Sequence, residues 1–301
     1  MAGQLRHAIL GAGGVGGLIG ACLAHGGAPV TMIVRRESVA DYPEQLQLES
    51  AFGNFRVPIS RGAEVPACDV LWITVKATQL EGALNAITNA DVVGSIVPLL
   101  NGIDHLDVLR LRYGPSKVIP ATIAVETERV APAHMVHRSP FARLSVLSAG
   151  RSLLGPALQH LQKLGFECRF VDDEPTLMWG KLVFLAPFAL STTAAGLPIG
   201  GVLSDPQWRG LAIGCVQEAC AVAITEGAGV NADAVIAGSN RFPPGMRSSM
   251  QKDVEQGNPP ELDAIAGTIL RGAAQHGIAV PATAKLVGYI EAKCRKTSSF
   301  P

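Results

Sequence analysis

The chain has 301 residues, 48% of them hydrophobic and 17% charged. That length suits about two globular domains, and the composition excludes a disordered chain or a coiled coil. The 25 Lys and Arg balance the 25 Asp and Glu, which gives no support to a nucleic-acid or membrane-surface role.

Residues 8–16, AILGAGGVG, read as a short apolar strand running into glycines and then an apolar helix from about 15 to 25. This is the G-x-G-x-x-G pattern in its working context, strand before and helix after. Gly11 permits the tight turn, Gly13 lets the backbone approach a pyrophosphate, and Gly16 lets the helix pack close to the strand. The N–H groups at the helix start face the phosphate charge. The turn residues Gly11, Ala12, Gly13, Gly14, Val15 and Gly16 are therefore candidates for dinucleotide binding. A second strand, PVTMIV at 29–34, ends in Arg35-Arg36. The NAD form of this fold carries an acidic residue at that place. An arginine there can grip a 2′-phosphate bidentately, so the expected cofactor is NADP(H), with Arg35 as its contact.

A hairpin is expected over 46–60, turning at Gly53. The apolar runs DVLWITV (69–75) and SIVPLL (95–100) read as buried strands. They end at Lys76 and Asn101, two polar residues at the carboxyl edge, where open α/β sheets bind ligands. Further strands are expected at 117–124 and 142–147, with a loop or hairpin between them carrying His134, His137 and Arg138 as surface or packing residues. A helix at 153–164 ends at Gly165, and a strand at 167–171 closes the first domain.

At Asp172 the alternation of strand and helix stops, and helical periodicity runs to the end. Helices are expected at 175–195 (with Pro187 a candidate kink), 206–226, 231–237, 244–256, 261–276 and 281–293, with fraying over 297–301. The fold class is an α/β Rossmann-like N-terminal domain, 1–172, followed by an all-helical C-terminal domain, 173–301. The six cysteines form no Cys-x-x-Cys pair and no zinc-type cluster, so no metal is expected. No leader pattern opens the chain, and the apolar stretch at 181–195 is too short and mixed for a membrane span. The expectation is a reduced, cytoplasmic protein without membrane or nucleic-acid partners. Its apolar second domain is compatible with a homodimer.

The ordered set GAGGVG (11–16), Arg35, TVKATQ (74–79), LNG (100–102), MWGKL (178–182), SSMQKD (248–253), PELD (260–263) and HGIAVP (276–281) resembles the ketopantoate reductase family, the 2-dehydropantoate 2-reductases, over nearly the whole chain. That resemblance implies an NADPH-dependent reduction of a 2-oxo acid to a 2-hydroxy acid and a 6-phosphogluconate-dehydrogenase-like architecture. It implies Lys181 as general acid, Glu261 as its support and Ser249 as a substrate contact, with Lys76 and Asn101 lining the nicotinamide and substrate site. Hydride delivery to a ketone builds charge on its oxygen, and a lysine held by a carboxylate can stabilise that charge and supply the proton. One departure stands out. The family's substrate-binding asparagines, four and eight residues after the lysine, are here Leu185 and Ala189. Thr192, eleven residues on, returns to about that face and is a candidate replacement hydroxyl. Two alternatives stay open: a reductase for a more apolar 2-oxo acid or carbonyl compound, and a non-catalytic NADP(H)-binding sensor.

Overall fold

The computed structural model describes residues 4–298. It divides into two compact units: residues up to Leu100 with His105–Asp172, and Asn101–Asp104 with the chain from Asp173 onward.

Unit 1 is built on β1 (His7–Leu10), buried at all four positions. β1 is the middle strand of a five-stranded parallel sheet of order β5-β2-β1-β6-β7. The others are β2 (Val30–Ile33), β5 (Ser60–Gly62), β6 (Cys68–Ile73) and β7 (Val93–Pro98). β6 is buried at five of its six positions, as a strand covered on both faces must be. The strand order reverses beside β1, which makes the carboxyl edge there a switch point of the ligand-binding kind. Short helices α2 (Leu80–Leu84) and α3 (His105–Tyr113) follow β6 and β7.

α1 (Gly14–His25) is buried continuously from Gly16 to Leu23. A helix apolar on every side needs cover on every side. β1 and β2 supply one flank, and β3 (Gln45–Glu49), β4 (Phe55–Pro58), β8 (Ala121–Ala131) and β9 (His134–Leu147) supply the other. These last four join β10 (Glu167–Val171) in a second, mixed sheet of order β10-β9-β3-β4, with β8 antiparallel to β9.

The expected hairpin around Gly53 is β3–β4, with Leu48 opposite Phe55 and Gly53 at φ +123°. The strand expected from 117 starts instead at Ala121, because Gly114-Pro115 opens a 3₁₀ turn through Lys117. The histidine-bearing segment is a hairpin that reverses just before His134. His134 Nε2 lies 2.7 Å from Glu49 Oε1, and buried His137 bonds to Ser50 and Ser139. α4 (Arg151–Leu164) ends at left-handed Gly165.

Unit 2 is helical. Its axis is α5 (Glu174–Ala195), capped by the Asp173 carboxylate on the Thr176 N–H and stopped by left-handed Gly196. α5 runs unbroken through Pro187. Around it pack α6 (Ile199–Ser204), α7 (Pro206–Thr225), α8 (Ala232–Ser239), α9 (Ser249–Glu255), a π turn (Asp263–Gly267) and α11 (Pro281–Ser298). α10 (Thr268–His276) continues the π turn and packs on α7. The core joins Leu182, Val183, Ala186 and Leu190 to Val216, Ala219, Ile265, Ile269 and Leu286.

The stretch 181–195 is part of the longer α5, which at 22 residues is long and apolar enough to cross a bilayer by length and composition alone. Most of it is buried inside unit 2, as a core helix is. The helix expected over 244–256 begins only at Ser249, because the Ser248 hydroxyl caps it on the Gln251 N–H. The helix expected over 261–276 opens as the π turn. Of the expected fray at 297–301, residues 297 and 298 belong to α11, and 299–301 lie outside the described residues.

Candidate active site

In unit 1 the chain leaves β1 through Gly11, at φ +115°, where a side chain would strike the Thr74–Val75 backbone. A methyl on Gly16 would run into the Gly11 carbonyl oxygen and the Thr74 hydroxyl, which are hydrogen-bonded to each other at 2.8 Å. Gly14 sits against the Thr127 backbone of β8. Gly13 differs from all of these: among the described residues nothing comes within 4 Å of where its Cβ would be. It is also the N-cap of α1, with no side-chain cap and no acidic residue in the first turn. The turn therefore offers an open space lined by helix-start N–H groups, including those of Val15 and Gly16, which have no intrahelical partner. Ala12 contributes its carbonyl, which Arg129 of β8 approaches with Nη1 at 3.5 Å. Arg129 is a cation at the glycine turn that lies too far along the chain for local sequence reading to find.

Arg35 is exposed just past β2. Its neighbour Arg36 is paired with Glu64 at 2.6 Å, whereas the Arg35 guanidinium has no partner among the described residues. Lys76 stands half-buried, three residues past the end of β6.

Unit 2 brings together three of the candidates. Lys181 Nζ, half-buried on α5, donates to Asn101 Oδ1 at 2.9 Å. Asn101 Nδ2 donates to Glu261 Oε2 at 3.0 Å. Glu261 is buried two residues before the π turn. The carboxylate accepts only, so it takes the NH₂ side of the amide and turns the amide oxygen toward the ammonium. Asn101, expected as the end of the β7 strand, thus groups with unit 2 and bridges the lysine to the glutamate. Burial pushes the Lys181 ammonium down to about 8, against an opposing pull from the Glu261 carboxylate. A lysine so tuned is still protonated near neutrality yet gives up its proton readily, as a general acid needs.

Ser249 is exposed in the first turn of α9. Thr192 is corrected: it is fully buried, its hydroxyl donates to the Phe188 carbonyl at 2.8 Å and lies 2.9 Å from the Ser248 hydroxyl. It ties α5 to the cap of α9, so its hydroxyl faces protein partners. Leu185 is partly buried on the unit 2 core, and Ala189 lies within it.

The parallel sheet with its glycine-lined helix start suits a dinucleotide, and in unit 2 a lysine set by an amide and a carboxylate suits proton donation. Comparison with known proteins makes the class specific. The family model "Ketopantoate reductase PanE/ApbA" matches residues 7–146, and its C-terminal counterpart matches 175–293. The 2-dehydropantoate 2-reductase of Caulobacter vibrioides is 29% identical over 95% of this chain and 98% of its own. An uncharacterized oxidoreductase of Bacillus subtilis is 27% identical over 92% and 95%. A PanE/ApbA family ketopantoate reductase structure from Ralstonia eutropha is 25% identical, covers 98% of this chain and all of its own, and superposes with a TM-score of 0.85. D-mandelate dehydrogenase, solved with NADH and anilino(oxo)acetate, shares the fold at TM-score 0.84 and 22% identity, covering 98% of this chain and all of its own.

The chain belongs to the ketopantoate reductase family, whose members are NADP-dependent oxidoreductases. NADP(H) is accordingly its cofactor, and the residues of unit 1 fit it. The space beside Gly13 has room for a pyrophosphate, and the exposed Arg35 guanidinium, with no side-chain partner among the described residues, has the chemistry to hold a 2′-phosphate.

Proposed function

We propose that this protein reduces 2-dehydropantoate to pantoate, with Lys181 as the proton donor. The observation that carries the reading is the Lys181–Asn101–Glu261 chain. NADPH supplies the hydride to the ketone carbon. Lys181 stabilises the charge arriving on the ketone oxygen and passes it a proton. Asn101 holds the ammonium in place, and Glu261 fixes the amide and favours the charged lysine. Ser249 and Lys76 contact the substrate, and Asn101 and Lys76 also face the nicotinamide. Unit 1 is the NADP(H)-binding domain and unit 2 the substrate and catalytic domain. A cytoplasmic homodimer completes the reading, checked by the mass of the purified protein in solution.

A specific observation favours a second substrate. Leu185 and Ala189 are apolar and Thr192 is sealed, so this stretch of α5 offers no polar partner to a hydroxylated tail. A site without such partners discriminates weakly for a hydroxyl. A panel of 2-oxo acids assayed with NADPH separates the two. Under the first reading ketopantoate has the highest kcat/KM. Under the second a branched apolar 2-oxo acid exceeds it, and Leu185→Asn improves ketopantoate selectively through KM.

Arg35→Ala is expected to raise the KM for NADPH by roughly 10- to 100-fold, the loss of charged hydrogen bonds to a phosphate. The KM for NADH should not rise. Equal losses for both cofactors would remove Arg35 from the 2′-phosphate site.

A further inference from the structure

The amide of Asn101 is delivered by a four-residue segment, Asn101–Asp104, that belongs to unit 2. Two contacts fasten it. Gly102 has φ +81°, and a side chain there would run into the Ala264 carbonyl, so this backbone lies directly on the π turn. At the far end Asp104 accepts from Arg271 Nη2 and, at 3.3 Å, from Thr268 Oγ1. Arg271 reaches back with Nη1 to Asp263 Oδ1 at 2.7 Å. A side chain on Gly267 would collide with both Asp263 and the guanidinium, so the arginine crosses the turn over that glycine. Asp263 lies two residues past Glu261, and Asp104 three past Asn101. One guanidinium therefore joins the two backbone segments whose side chains, Asn101 and Glu261, bond to each other, Asn101 in turn accepting from Lys181.

We propose that Arg271 is a positioning residue of the reduction: by bridging Asp104 and Asp263 it holds the 101–104 segment on the π turn and sets Asn101 between Lys181 and Glu261. The proposal rests on the reading of those three residues as the reacting site. Arg271 and Asp104 are each about half exposed, with side-chain exposures of 52% and 50%. Exposed ion pairs add little to stability. Asp263 is more exposed still, at 84%. A planar fork that bonds two acceptors at once, in contrast, sets geometry, and small misplacements of a catalytic group are costly in rate. A π turn inside a helix is itself a feature found at functional sites.

The test is steady-state kinetics on Arg271→Ala, Asp104→Asn, Asn101→Ala and the Arg271→Ala/Asn101→Ala double variant, with melting temperatures alongside. Arg271→Ala should lower kcat by about tenfold, the cost of a loosened catalytic geometry, while the KM for NADPH and the melting temperature stay near wild type. Asp104→Asn should behave likewise, and it carries the test if Arg271→Ala fails to fold. Because Arg271 acts through Asn101, its loss should cost almost nothing further in the Asn101→Ala background. A kcat near wild type, or multiplicative losses in the double variant, overturns the proposal. Lys181→Ala run in parallel separates the two layers. If it keeps turnover, the underlying site reading fails. If it is inactive while Arg271→Ala keeps wild-type kcat, the Arg271 role alone fails.

Discussion

Lys181→Ala is expected to lower kcat by about 10³- to 10⁴-fold, the range lost with a general acid that also stabilises developing charge. NADPH binding should be retained, because the glycine turn and Arg35 proposed for its phosphates belong to unit 1, and Asn101 keeps its bond to Glu261. The pH profile should carry the same residue's signature. Burial brings the ammonium down to about 8. Reduction needs the protonated form, so kcat should be flat below pH 8 and fall about tenfold per unit above it. Oxidation of the hydroxy acid by NADP⁺ needs the neutral amine, so that rate should rise through the same region. In Glu261→Gln the opposing carboxylate is gone, and the alkaline limb of the reduction should move to lower pH. A limb unmoved in Glu261→Gln, or absent from the wild type, would assign the proton to another group. Loss of NADPH binding together with turnover would show that the alanine variant disturbs the fold rather than the chemistry.

How much of this was legible beforehand differs by kind of signal. Strand, glycine turn and helix at 8–25 are local, and α1 and β1 follow them closely. Helix stops at Gly165 and Gly277 are equally local, since each needs the left-handed conformation. The second sheet was not legible. An apolar strand at 142–147 looks the same whichever sheet it joins, and pairing partners such as Gln47 and His134 lie far apart in sequence. The all-round apolarity of α1 was the available clue that a second layer covers it. At the site, Lys181 and Glu261 came from a motif, whereas the bridging of Asn101 depends on contacts across 80 and 160 residues. Thr192 was readable in principle, because a mid-helix threonine commonly bonds the carbonyl four residues back, and it does so to Phe188. Arg271 in sequence is one more charge on an exposed helix face; only the fold puts Asp104 and Asp263 on either side of it.

Gly13 and Gly16, three residues apart, should fail in opposite ways when each is changed to alanine. The added methyl at Gly16 meets the Gly11 carbonyl and the Thr74 hydroxyl, wedging into the 2.8 Å bond between them. Neither neighbour can yield easily: one is backbone at a positive-φ turn and the other sits at the end of β6. Nor can α1 back away, with Gly17 closed against Met135 of the second sheet and Gly14 against the Thr127 backbone. Overpacking of this kind costs roughly 3 kcal/mol, which in a unit of this size lowers its melting temperature by about 6–12 °C. The turn is displaced with the helix, so NADPH should no longer raise the melting temperature of Gly16→Ala. At Gly13 the backbone is at φ −85°, which alanine accepts, and its methyl enters open space. Gly13→Ala should therefore melt like the wild type without ligand and still lose the shift with NADPH, because the methyl stands where the pyrophosphate approaches. Calorimetry of both variants with and without NADPH decides the matter. An undiminished NADPH shift in Gly13→Ala would move the phosphates away from this turn, and a wild-type melting temperature for Gly16→Ala would contradict the packing of α1 between the two sheets.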